Sequence, residues 1–172
     1  MINKKKLIEN IINQPPINLE TEIDKKKTLA EEWFNELRDQ ICNNFTNIEY
    51  NFRRNNVEKV SDLKFPVFKQ NKWIRDGGGG GVISIMKGDV FEKVGVNIST
   101  VYGKFSEKFK SQIPGADKTG DFWASGISVV AHMNNPYIPA AHMNTRFLVT
   151  GLDENRKFWF GGGCDLTPML PD

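Results

Sequence analysis

The chain is poor in several things, and each shortage narrows what it is. Only two cysteines, Cys42 and Cys164, occur among 172 residues, far apart and outside any Cys-x-x-Cys spacing. A reduced, cytosolic setting is the simplest expectation, with a single disulfide as the lesser alternative. No apolar run approaches the ~20 residues needed to cross a bilayer, so no membrane span is expected. The amino terminus, MINKKKLIENIINQPP, has no secretory core because Glu9 and Asn10 interrupt it. It is also a poor transit peptide: it contains no Arg or Ser but does contain Glu. Charge of one sign is not in excess. The net charge of +2 gives no strong electrostatic case for nucleic acid or a membrane surface. No internal repeat is present, and the glycines at 77–81 are the only low-complexity tract.

What is there is ordinary for a soluble globular chain: 39% apolar, 26% charged and 11% aromatic residues. The length suits one domain with a core of useful size. Leu7, Ile8, Ile11 and Ile12 make a short helical stripe that Pro15-Pro16 ends. A stronger amphipathic helix is expected from about Thr21 to Asn44, where Leu29, Trp33, Phe34, Leu37, Ile41, Cys42 and Phe45 recur at helical spacing. Ile48, Tyr50 and Phe52 alternate with polar residues and predict a strand, followed by a basic turn from Arg53 to Asn56. Helices are thus expected over residues 1–45 and sheet over 46–172, in a single domain.

Phe65 to Trp73 reads as irregular. The glycines Gly77 to Gly81 fit neither a P-loop, which needs a terminal Gly-Lys-Ser/Thr, nor a dinucleotide fingerprint, which needs a following helix. They predict an ordered turn in which bare backbone lets a ligand approach, rather than a flexible linker. Val82 to Met86 and Val90 to Tyr102 then read as an antiparallel pair joined at Lys87-Gly88-Asp89. A helical turn is expected around Ser106 to Lys110, and a loop at Gly115-Ala116-Asp117.

Both histidines fall in the densest part of the chain. On the strand Gly126 to His132, Ser128, Val130 and His132 share a face, opposite Ile127 and Val129. Asn134-Asn135-Pro136 and Pro139 mark a rigid loop. A strand from Ala140 to Thr150 follows. Its apolar side is Met143, Phe147 and Val149 with Thr145 among them; its other side is His142, Asn144 and Arg146. If Thr150 pairs with Lys157 across the next hairpin, Asp165 stands opposite His142, Gly163 opposite Asn144 and Gly161 opposite Arg146. A slip of one residue would invert that face.

Such a row has definite chemistry. Arg146 can hold a carboxylate bidentately, Asp165 can accept N–H groups or balance a cation, and histidine exchanges protons near neutral pH. The bland alternative is a polar sheet face with satisfied hydrogen bonds. A metal held by His132 and His142 would need more ligands than two. A Ser128-His142-Asp165 hydrolase lacks the GxSxG elbow.

Three stretches resemble signatures of the oxygen-dependent coproporphyrinogen III oxidases: RDGGGGGVISIMKGDVFEKVGVNISTVYG, SGISVVAHMNNPYIPAAHMNTRF and FWFGGGCDLTP. The resemblance runs from about Trp73 to Pro168 and implies an α+β fold, a flat antiparallel sheet flanked by helices. It implies a cytosolic homodimer that oxidatively decarboxylates two propionates of coproporphyrinogen III to vinyls. The products are protoporphyrinogen IX, carbon dioxide and hydrogen peroxide. Molecular oxygen is the co-substrate and no organic cofactor takes part. By position, Ser128, Asn144, Thr145 and Arg146 match substrate contacts, His142 the proton donor, and Asp165 the carboxylate beneath the macrocycle. His132 and His142 match positions assigned to a divalent metal in bacterial members. Family members are longer, so the resemblance also implies a sheet truncated after the third signature. Further strands, more histidines, a Gly-Gly-Arg contact and much of the dimer interface are expected from the remainder. A non-catalytic remnant, or half of a split enzyme that binds tetrapyrrole or a partner chain, is the alternative.

Overall fold

The structure is a computed structural model that describes residues 19–56, 65–151 and 156–170. The stripe at Leu7 to Ile12 and its proline stop lie outside the described residues. One long helix, α1 (Leu19–Asn56), precedes the strands β1 (Lys69–Ile74), β2 (Gly79–Met86) and β3 (Phe91–Lys104). A single helical turn, α2 (Glu107–Lys110), leads to β4 (Asp121–Met133), β5 (Ala140–Thr150) and β6 (Lys157–Thr167). The strands form one six-stranded sheet in sequential order, antiparallel at every step. The fold is α+β.

The core lies between α1 and one face of the sheet. From the helix come Ile23, Ala30, Phe34 and Cys42; from the sheet come Val94, Val96, Ile127, Val129, Phe147 and Val149. On the strands these are alternate residues, so the intervening ones point the other way. Each fully buried aliphatic or aromatic side chain of this kind contributes ~1.5–3 kcal/mol. Both cysteines are free, Cys42 buried and Cys164 exposed, and burial pushes the Cys42 thiol up to about 11.

Two expectations need correction. The alternation at Ile48, Tyr50 and Phe52 is not a strand, and Arg53 to Asn56 is not a turn: α1 runs through both. Ile41, Phe45 and Glu49 continue the helical spacing, and it is Glu49 that is buried, while Ile48 and Phe52 stay exposed. A charged residue thus carries on the inward stripe where an apolar one is expected. The second correction is β1. Lys69, Gln70, Asn71 and Lys72 are exposed because β1 is an edge strand, so no apolar alternation announces it.

The glycine run divides. Gly77 and Gly78 turn the chain, Gly78 at φ 112°, and Gly79 to Gly81 open β2. The bare backbone there accommodates the neighbouring strands: a β-carbon on Gly81 would run into the Ile98 carbonyl and the Trp73 ring.

Candidate ligand-binding site on the open sheet face

Among the described residues α1 covers one face of the sheet; the site residues stand on the other. The β5–β6 register is the one the alternation predicts, with His142 opposite Asp165, Asn144 opposite Gly163 and Arg146 opposite Gly161. On the β4 side, Ser128 stands opposite Asn144 and Gly126 opposite Arg146. β3 adds Asn97 beside Ser128 and Ser99 beside Gly126. These rows run across the sheet like rungs, since directly opposed residues share a face.

The Nδ1 atom of His142 lies 2.7 Å from Oδ1 of Asp165, and the Thr167 hydroxyl donates to the same oxygen at 2.9 Å. The His142 bond, then the Thr167 bond, holds the Asp165 carboxyl below its ordinary range. An ionised Asp165 can only accept, so Nδ1 of His142 donates to it and Nε2 is the ring nitrogen left outside this bond. His132 faces His142 edge-on, with ring centroids 5.7 Å apart.

One row away, Ser128, Asn144 and Arg146 border a cleft of about 430 Å³. Arg146 is exposed, and its guanidinium meets no carboxylate among the described residues. Thr145 also borders the cleft, but it pairs with Ile127 of the core, so strand alternation turns its side chain to the covered face. Its main chain, not its hydroxyl, is what reaches the cleft. The site expectations drew on β4 to β6 alone; the cleft extends further, to Asn97 and Ser99 on β3 and to Trp73 on β1. Asn97 carries a buried Oδ1 with no hydrogen-bond partner among the described residues. Its signal was available in the sequence, since Gly95, Asn97 and Ser99 occupy the parity opposite Val94, Val96 and Ile98.

Neither lesser alternative is assembled. Ser128 makes no hydrogen bond to His142 among the described residues, so the His142–Asp165 pair lacks a nucleophile in reach. Nor do three or more metal-ligating side chains gather among the described residues. His132 and His142 supply two imidazoles, short of the three protein ligands usual at a catalytic zinc. The described residues therefore do not fit a complete divalent-metal site, and no step below is routed through a metal.

One open sheet face thus carries a hydrogen-bonded His142–Asp165 pair and, beside it, a cleft bordered by an exposed guanidinium and side-chain amides, groups able to hold a small molecule that bears carboxylates. Residues 29–172 match the family model described as coproporphyrinogen III oxidase. The chain is 51% identical over 148 residues to the oxygen-dependent coproporphyrinogen-III oxidase of Rickettsia bellii, a match covering 86% of this chain and 50% of that protein. The same enzyme of Rickettsia felis is 51% identical over 147 residues, covering 86% of this chain and 49% of the relative. For Rickettsia akari the identity is 50% over 148 residues, with 86% and 50% covered. The chain belongs to the coproporphyrinogen III oxidase family, and it spans about half the length of the curated relatives it matches. No helix among the described residues is long and apolar enough to cross a membrane.

Proposed function

We propose that this chain carries the substrate-binding face of an oxygen-dependent coproporphyrinogen III oxidase of heme biosynthesis. One observation carries the reading: in a member of this family, the His142–Asp165 hydrogen bond and the uncommitted Arg146 guanidinium stand on one open sheet face. The substrate is a ring of four pyrroles with propionate arms. Arg146 holds a propionate through a charge-assisted bidentate contact, worth ~1.5–3 kcal/mol or roughly 10–100-fold in affinity. Asp165 is ionised and exposed, so its remaining lone pairs accept pyrrole N–H groups. Ser128 and Asn144 hydrogen-bond to the ring's periphery, with the Thr145 main chain beside them. Gly163 leaves open space for the ring next to Asn144, since nothing lies within 4 Å of a β-carbon built there.

Each turn of the reaction breaks one C–H bond and the C–COO bond of a propionate. The two electrons of the C–H bond pass to molecular oxygen, which becomes hydrogen peroxide with the proton from that bond and one from solvent. The carboxyl group leaves as carbon dioxide, and the electron pair of the broken C–C bond closes the vinyl double bond. His142, held at Nδ1 by Asp165, presents Nε2 as the group that exchanges a proton with the substrate. We read the enzyme further as a cytosolic homodimer, as the family resemblance implies. A divalent cation between His132 and His142 would need ligands from outside the described residues. Metal content measured before and after His132→Ala tests that pair, and an unchanged content removes it.

The central test is incubation with coproporphyrinogen III and oxygen, with this chain alone and with the carboxy-terminal half of a longer relative added. The expected product is the vinyl-bearing ring in at least one arm, lost on His142→Ala. Absence of vinyl product in both arms overturns the catalytic reading, and porphyrin binding without turnover would leave a tetrapyrrole-binding protein.

A further inference from the structure

The cleft is built by more of the sheet than the strands that carry the acid–base pair. From Arg146 on β5 it runs past Gly126 on β4 and Ser99 on β3 to Gly81 on β2, residues paired in one continuous row. The row ends on β1 at Trp73, which pairs with Gly81 and borders the cleft. Four interstrand steps of about 4.8 Å separate Trp73 from Arg146, roughly 19 Å in all. Between the two lie only glycine and serine, so the floor is flat. Val101 and Ala124, on β3 and β4, line the cleft as well and add apolar surface between its two ends.

Trp73 is half-buried, and its indole N–H has no hydrogen-bond partner among the described residues, which leaves it available to a ligand or water. The ring lies over bare backbone: a β-carbon on Gly81 would stand 2.9 Å from Cε2 and Cζ2 of Trp73. Absence of a side chain at Gly81 is what lets the ring lie there.

We propose that Trp73 is a ligand-contacting residue, the apolar wall against which the body of a tetrapyrrole ring packs while Arg146 holds a carboxylate arm at the opposite side. The inference rests on the tetrapyrrole reading of the site and extends it to a residue on β1. An amphipathic ligand suits this lining: an apolar ring over Val101 and Ala124 and against Trp73, and an acidic arm on Arg146.

The probe is coproporphyrin III, the oxidised ring, titrated into the whole chain and followed by its Soret band and by calorimetry. Trp73→Ala weakens binding about tenfold, the equivalent of one lost ring contact, and abolishes the Soret shift that stacking on the indole produces. Trp73→Phe retains most of the affinity. Melting temperatures of the ligand-free variants serve as the control for folding. Unaltered affinity and Soret position in Trp73→Ala, with binding lost in Arg146→Ala, overturn the role of Trp73 and leave the site reading standing. No porphyrin binding by the unsubstituted chain overturns both.

Discussion

The Glu49 carboxylate is fully buried and accepts main-chain N–H bonds from Asp89 at 2.9 Å, Val90 at 3.0 Å and Phe91 at 2.9 Å. It satisfies the tight connection between β2 and β3 and ties that connection to the helix. Gly88 has no side chain because one there would collide with this carboxylate. Removing the carboxylate leaves three main-chain donors without their partner at once, the Phe91 N–H buried and the other two partly so; Glu49→Ala should destabilise by about 3 kcal/mol in denaturant unfolding, with Glu49→Gln costing less. On the opposite face, Asp165 offers a test of the site's electrostatics. Its carboxyl is held low by the His142 bond first and the Thr167 bond second. The sign follows from linkage: a depressed carboxyl contributes stability above its ordinary value of 3.8, lost as pH falls through the depressed one. Carboxyl NMR titration should therefore find Asp165 below that value in the unsubstituted chain. His142→Ala should raise it more than Thr167→Val does; an unmoved titration in both variants would mean the hydrogen bonds are absent in solution.

At the scale of elements, the glycine run at 161–163 separates two demands made by one strand. Gly162 faces the Asn144 carbonyl so closely that a side chain would collide, whereas a β-carbon on Gly163 meets nothing within 4 Å. Gly162→Ala should thus cost ~1–3 kcal/mol in stability, as overpacking does. Gly163→Ala should melt within a few degrees of the unsubstituted chain and, on the proposed function, bind porphyrin more weakly, because its methyl enters the open space beside Asn144. Urea unfolding and a porphyrin titration of the two variants check this; equal destabilisation by both would refute the division. The β4–β6 region was legible in the sequence for a simple reason. One face is core and the other is polar, so Met143, Phe147 and Val149 against His142, Asn144 and Arg146 fix parity, and the hairpin fixes register. The failures have equally local causes. Over Ile48 to Phe52 the helix presents Glu49 inward, which an apolar pattern cannot show. Along β1, exposure on both faces erases alternation, and with it the signal that would have placed Trp73 at the cleft.

The molecule as a whole is a sheet covered unevenly, and its two edges differ in chemistry. β1 carries Lys69 and Lys72, the charges that keep an edge from pairing with another chain. β6 has a lysine only at its start, Lys157; Asp165 and Thr167 stand near its other end, and its remaining residues are apolar, glycine or cysteine. On its outer side it pairs with no strand among the described residues. On the α1 side of the sheet, the alternate residues Phe158, Phe160 and Leu166 are exposed, Leu166 at 69%. Packing explains part of this pattern. Lys26 of α1 lies over the Phe158 ring at 4.5 Å, and Phe160 stacks on Phe147 at 4.8 Å, while the helix leaves Leu166 uncovered. An unpaired edge with exposed apolar side chains on one face templates association with other strands. The chain studied alone should therefore self-associate as concentration rises, through β6 rather than β1. Leu166→Lys places a charge on the exposed side chain without removing a core contact, so it should lower light scattering at high concentration and leave the unfolding midpoint within ~0.5 kcal/mol. Lysine substitution of Asn71 on β1, the already charged edge, should change scattering little. If the two substitutions reduce association equally, net charge and not the β6 edge governs it.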